Sequence, residues 1–290
     1  MPATETRHSL PANDGYPIEV FGWLPPGPVR AVVQIAHGMG EHSLRYRALA
    51  QSLNAAGVAV YANEHRGHGE EALRRNEKGD LGPRGFNGLV ADMVTVSEFA
   101  QARHPGLPLI LLGHSMGSFA TQLYLLDHAQ RLRAAALSGT AALDLLYAKR
   151  STAWKLEDNN VAAKVPRTPF DWLSRDEAQV DAYIADPLCG FTLTAESRRT
   201  MSAAYERMTE PHEIERMPKA LPLYVLVGDA DPINRKLELL NPLIDRYRAA
   251  GLSDVSLHIY GGARHELFNE TNRAEVTAHF VAWVERVLSV

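Results

Sequence analysis

Gly113-His114-Ser115-Met116-Gly117 sets a serine at the centre of a G-x-S-x-G pentapeptide. The apolar run Leu107–Leu112 leads straight into it, and a helix-period segment with Phe119, Ala120, Leu123 and Tyr124 follows. A serine in a tight strand-to-helix turn adopts strained dihedrals, and the flanking glycines let the backbones approach. The helix that follows aims its first N–H groups at the serine, where negative charge is tolerated. The chemistry this suits is attack of a hydroxyl on a carbonyl, which needs a base for the proton and a carboxylate to orient the base.

In the strand–turn–helix arrangement the acid and then the base follow the nucleophile in the chain. Of twelve histidines, only His258, His265 and His279 come after the last strand-end acids. His258 falls within an expected strand and His279 within the terminal helix. His265 lies in the loop Gly261-Gly262-Ala263-Arg264-His265, at the carboxyl end of a strand, where catalytic residues of parallel sheets belong. For the acid, Leu223–Val227 ends in Gly228-Asp229-Ala230-Asp231-Pro232. Asp231 is the better placed to reach His265; Asp229 is the runner-up, with a turn-stabilising role as its alternative. A tetrahedral oxyanion needs two N–H donors. Met116, after the nucleophile, is one; Met39, in the loop His37-Gly38-Met39-Gly40-Glu41-His42, is the other. Gly38 and Gly40 let that loop turn inward. His37, Glu41 and His42 read as hydrogen-bonding groups of the loop rather than metal ligands. No metal and no cofactor is expected.

These residues need a rigid frame. Six short apolar runs supply it: Ala31–Ala36, Val58–Ala62, Leu109–Leu112, Ala134–Ser138, Leu223–Val227 and Val255–Tyr260. They are continuous rather than alternating and read as strands buried on both faces. Helical stripes lie between them: Tyr46, Leu49, Ala50 and Leu53; Leu89, Met93, Val96 and Ala100; and Val276, Phe280, Trp283, Val284 and Val287. The expected fold is α/β: a mostly parallel central sheet with helices on both faces. Tyr16–Leu24 reads as an antiparallel edge strand ended by Pro25, Pro26 and Pro28. The alternation stops between Gly139 and Lys219, where helical stretches are broken by Pro166, Pro169, Pro187 and Pro211. Residues 1–139 and 220–290 therefore form one core in two blocks, with 140–219 as a helical cap.

Composition narrows the functions. The 290 residues carry a formal charge of −4 without a Lys/Arg block, which excludes an electrostatic footprint for nucleic acid. The single cysteine, Cys189, rules out an intramolecular disulfide and fits a reducing compartment. Met1–Gly15 is polar and lacks the apolar region of a signal peptide, and no run is long enough to span a bilayer. A cytoplasmic location is expected. Nothing in the sequence bears on oligomeric state.

Together HGMGEH (37–42), GHSMGS (113–118), GDADPI (228–233) and RHELFNE (264–270) resemble the monoglyceride lipase and lysophospholipase branch of the α/β-hydrolase superfamily. The resemblance runs from about Asp14 to Val290, and Leu173–Gly190 resembles the cap of that branch. It implies a triad at Ser115, Asp231 and His265 and oxyanion donors at Met39 and Met116. It also implies a small acyl-ester substrate, a cap over an apolar acyl tunnel, and peripheral contact with lipid surfaces through that cap. The segment Asn63-Glu64-His65-Arg66-Gly67-His68-Gly69 departs from the branch, with Glu64 where an aspartate is usual and Glu70 where a small polar residue is common. Cys189 lies close to the position of a cap cysteine in mammalian members. A proline-type aminopeptidase on the same fold is the rival enzyme; it needs cap carboxylates, for which Glu157, Asp158, Asp176, Glu177, Asp181 and Asp186 are available. A non-catalytic receptor on a hydrolase fold is the rival from another class.

Overall fold

The computed structural model describes residues 4–148, 154–160 and 166–289; residues 1–3, 149–153, 161–165 and 290, parts of the expected tail and cap, lie outside it. The chain runs β1 (Thr4–Pro11), β2 (Pro17–Leu24), β3 (Ala31–Ala36), α1 (Arg47–Ala55), β4 (Val58–Asn63), α2 (Gly69–Arg75), α3 (Gly85–Arg103), β5 (Leu109–His114), α4 (Met116–His128) and β6 (Ala134–Ser138). Helices α5 (Leu143–Ala148), α6 (Glu177–Ala185), α7 (Ala195–Tyr205) and α8 (Pro211–Ile214) come next. Then β7 (Leu223–Gly228), α9 (Asn241–Ala249), β8 (Val255–Tyr260) and α10 (Arg273–Leu288) complete the fold.

Eight strands form one sheet in the order β1-β2-β4-β3-β5-β6-β7-β8. From β4 to β8 all pairings are parallel, and β1 and β2 are antiparallel. Side chains alternate across a strand, so Leu109 and Leu111 join one apolar cluster while Ile110 and Leu112 join the other. Met93, Phe119 and Leu243 from α3, α4 and α9 cover the first face. Leu49 and Leu53 of α1, with Val276, Phe280 and Val284 of α10, cover the second. Burying the continuous runs on both faces is what forces this layered, mostly parallel architecture.

Two expectations are corrected. β2 is not the edge strand: β1 pairs along its whole length, from Thr4↔Leu24 to Pro11↔Pro17, and takes the edge. Its eight residues face solvent on alternate positions, so the pattern reads as a polar tail and carries no apolar signal. β8, in turn, is not buried on both faces; it closes the other edge, and Val255–His258 are only partly covered.

The chain leaves β3 for β4 on one side and returns to β5 on the other, a switch point at which ligands bind in open parallel sheets. Ala36 pairs with Gly113, so the loop after β3 and the turn after β5 emerge side by side. Residues 140–219 leave between β6 and β7 and, among the described residues, hold helices and no strand.

Candidate active site

Ser115 has φ 51° and ψ −120°, between the end of β5 and the first turn of α4. A non-glycine residue in that conformation costs on the order of 1–3 kcal/mol and persists only where its surroundings fix it. Its N–H donates to Ser138 O at 2.9 Å, and its carbonyl accepts from Ser118 and Phe119 N–H. The two glycines of the pentapeptide are obligatory for close approach. A Cβ on Gly117 would stand 2.1 Å from Ala36 O, and one on Gly113 2.4 Å from Gly117 O. His114, also of the pentapeptide, is buried, with its ring tilted against that of His265 at 4.8 Å.

The residues expected as acid and base lie side by side. Asp231 Oδ2 lies 2.9 Å from His265 Nδ1, and both residues are buried. Asp231 Oδ1 accepts from Ile233 N–H at 2.8 Å, which fixes the carboxylate. Donation from Nδ1 leaves Nε2 of the imidazole as the nitrogen that takes a proton. Asp229 is exposed, and its Oδ1 accepts from Gly262 N–H at 2.7 Å, a turn-stabilising role. The His265 ring packs against Gly139, where a Cβ would be 2.9 Å from Cε1, right beside the Ser138 carbonyl that holds Ser115. Trp172 also packs against the His265 ring, tilted, at 4.9 Å.

The loop after β3 lies against the nucleophile: a Cβ on Gly38 would be 3.1 Å from Ser115 Cβ. Histidines and one glutamate hold it. His37 Nδ1 donates to Gly38 O at 2.8 Å, and its Nε2 accepts from His65 N–H at 3.1 Å. His68 Nδ1 donates to Arg66 O, and its Nε2 accepts from Gly40 N–H at 3.1 Å. Glu41 accepts from Gly38 N–H at 2.5 Å and Tyr46 O–H at 2.8 Å, and Arg45 pairs with it at 3.0 Å. Arg45 also clasps Glu266, the residue after His265, through Nη2–Oε2 at 2.6 Å. The loop is thus tied to both sides of the site.

Burial sets the charges here. It would raise the Glu41 carboxyl, but Arg45, His114 and His37 outweigh it and hold the group well below the usual carboxylate range. Burial and the nearby His265 depress His114 to about 4, and burial with His37 takes His68 down to about 3. His65 falls the same way, while Glu64 and Glu41 carry His37 upward against burial. Glu64, the departure noted in the sequence, accepts from Ser43 N–H at 3.0 Å and packs its chain over Gly69, where φ is +75° and a Cβ would be 2.7 Å from Glu64 Cγ. The longer acid is accommodated by the glycine.

A narrow pocket with a cavity of about 20 Å³ opens over Ser115. Met39, Met116 and Phe119 line it from the core; Leu143, Leu146, Trp154, Leu156, Trp172 and Met201 line it from the overlying segment. Among the described residues, Asn159 is the one polar lining residue besides Ser115. Trp172 also borders a surface groove with Asn160, Arg175 and Arg264, so it stands between the pocket over Ser115 and that groove. Trp172 and Arg45 belong to no motif read in the sequence, and Glu266 appears there only within RHELFNE, with no role assigned. Only the tryptophan's place in an insertion expected to cover the site could have flagged it.

Comparison with known proteins follows this geometry. The family model described as serine aminopeptidase, S33, matches residues 27–272. The chain is 33% identical to a monoacylglycerol lipase of Mycolicibacterium smegmatis over 97% of this chain and 98% of that protein. It is 30% identical to human monoglyceride lipase over 93% and 86% of the two chains. The structure of a thermostable carboxyl esterase from Bacillus coagulans, in complex with glycerol, superposes with a TM-score of 0.86 at 28% identity, covering 99% of each chain.

Proposed function

The chain belongs to the serine aminopeptidase S33 family and is a serine ester hydrolase of the monoglyceride lipase-like branch of the α/β-hydrolases; on that premise we propose that it cleaves monoacylglycerol or lysophospholipid-type acyl esters through Ser115, His265 and Asp231. Ser115 Oγ attacks the ester carbonyl while His265 Nε2 takes its proton. Asp231 holds the imidazole tautomer and stabilises the imidazolium. Met39 and Met116 N–H groups bind the tetrahedral oxyanion, each worth about 2.7–4 kcal/mol of transition-state stabilisation. His265 then protonates the leaving alcohol, and water repeats the sequence on the acyl-enzyme. Residues 140–219 act as the cap.

The observation that carries this reading is the apolar pocket directly over Ser115, walled by the cap. The lining is apolar as an acyl chain requires, although the space must widen to admit one, and the groove beyond Trp172, bordered by Asn160, Arg175 and Arg264, suits the alcohol part. Ile184 on α6 is a large apolar side chain left exposed on the cap, which supports lipid-surface contact there. No helix among the described residues is long and apolar enough to cross a membrane.

The family description favours a second reading, aminopeptidase, which requires a carboxylate facing the substrate amine. The cap acids are engaged elsewhere. Asp176 caps α6 and pairs with Arg273, Asp181 pairs with Arg167, and Asp186 bonds to His42. Among the described residues none of the carboxylates lines the pocket, and residues 149–153 and 161–165 contain no Asp or Glu. A panel of monoacylglycerols, lysophospholipids and aminoacyl arylamides at fixed enzyme concentration tests the choice. Acyl esters are expected to turn over and the arylamides not; faster arylamide cleavage would reverse the assignment.

A further inference from the structure

We propose that His42, Asp186 and Cys189 form a binding site for a thiophilic divalent cation of the zinc class, bridging the loop after β3 and the segment that follows α6. One donor atom of each residue lies within 4.8 Å of the other two. Imidazole, carboxylate and thiolate make up a donor set that suits zinc or cadmium, with a water as fourth ligand.

Both halves of the site are held in place by other contacts. Cys189 N–H donates to Asp186 O at 3.0 Å and Leu188 N–H to Asp186 Oδ1 at 2.8 Å, so one turn presents both donors. Gly190 N–H donates to Gly40 O at 3.0 Å and brings that turn against the His42 loop. His42 is 6% exposed; its Nε2 meets Asp186 Oδ2 at 2.9 Å, and its Nδ1 has no hydrogen-bond partner. Asp186 is partly open, which gives an ion a way in. The nearby cation Arg45 is already claimed by Glu41 and Glu266. On binding, the cation bonds to Cys189 Sγ, whose proton goes to solvent. It also takes His42 Nε2, which in the metal-free protein donates its proton to Asp186 Oδ2. That bond breaks; the Nε2 proton leaves to solvent and Nδ1 takes one from solvent. The imidazole thus binds as its neutral Nδ1–H tautomer with no net proton change, and the proton released on binding is that of the Cys189 thiol. The site lies outside the Ser115 pocket and does not depend on the substrate reading.

Cadmium added to the reduced protein is the probe. The expected result is a sulfur-to-cadmium charge-transfer absorption that saturates at one equivalent and is accompanied by proton release. Cys189→Ser should abolish the band while keeping metal-free ester turnover, which separates loss of a ligand from loss of fold. His42→Ala and Asp186→Asn should each weaken cadmium binding about 10- to 100-fold in chelator competition. Absence of the band in the wild type overturns the proposal. So does a band of unchanged affinity in His42→Ala and Asp186→Asn, which makes Cys189 a lone thiol.

Discussion

Around Ser115 the backbone itself makes the fit: Gly117 against Ala36 O, Gly113 against Gly117 O, Gly228 with room for a Cβ only 2.0 Å from Ala263 O. The described residues of 140–219 meet the core through a few backbone bonds, such as Gly190 N–H to Gly40 O and Thr194 N–H to Gly79 O, and add side-chain contacts that the strand ends do not rely on. Ser197 Oγ accepts from Leu81 N–H, Thr200 Oγ1 from Phe86 N–H, and Arg175 pairs with Glu270. Backbone contacts between strand ends leave nothing to rotate. Side-chain contacts break and re-form at about 0.5–1.5 kcal/mol each. The difference separates two tasks: the strand ends hold reacting groups still, while the overlying segment shapes the pocket with apolar side chains that can be exchanged.

The largest test of that division is Ser115→Ala. Ester turnover should fall roughly a million-fold, with loss of fluorophosphonate labelling and an unchanged melting curve; labelling retained at another residue would move the nucleophile out of the strand-end region. Next comes the pair of aspartates on one turn. Asp231→Asn should lower kcat by about 10⁴-fold, whereas Asp229→Asn should stay within a few-fold, because its carboxylate bonds only to Gly262 N–H in the structure. The reverse order in steady-state kinetics would reassign the acid.

Stability should split along the same line. Gly117→Ala forces a Cβ to 2.1 Å from a carbonyl and should cost more than about 4 kcal/mol, seen as loss of soluble folded protein. Ser197→Ala removes one side-chain acceptor and should cost about 1 kcal/mol by denaturant titration. Comparable losses would mean that both regions are equally rigid. A further effect, spread over several groups and partly cancelled, is with pH. His65, His68 and His114 are held neutral in the fold below their ordinary 6.5. Below pH 6.5 the unfolded chain binds protons that the folded chain does not, so stability falls as pH drops toward 4. Each group contributes a slope of up to about 1.4 kcal/mol per pH unit. His37, shifted upward, offsets part of this. Segment 140–219 holds one histidine, His212, which is exposed, so the slope belongs to the strand ends. A flat stability profile from pH 7 to 5 would contradict the neutral-histidine arrangement.

The same contrast explains what the residues disclosed in advance. Ser115 sits in a turn whose glycines are dictated by backbone contact, so its motif is local and readable. His265 and Asp231 are marked by their places at strand ends, which follow from the apolar runs before them. Trp172 against His265, and Arg45 joining Glu41 to Glu266, are side-chain meetings across distant segments, and no spacing encodes them. β1 escaped notice because an edge hairpin with solvent on alternate positions needs little apolar surface. The residues that hold the loop after β3 were legible as histidines and a glutamate. Their tautomers and bonds were not, because those depend on which carbonyl or amide each ring nitrogen reaches.

The switch at which β3 lies between β4 and β5 has a consequence for how the chain acquires activity. Ala36 meets Gly113, and Ala135 meets Leu223, only after long stretches of intervening chain have been ordered. Such loop closures are slow and unrewarded until complete. Ser115, His265 and the loop after β3 come together only when β3, β5, β6, β7 and β8 are joined, so reactivity of Ser115 toward a fluorophosphonate during refolding should report the joined sheet rather than its separate strands.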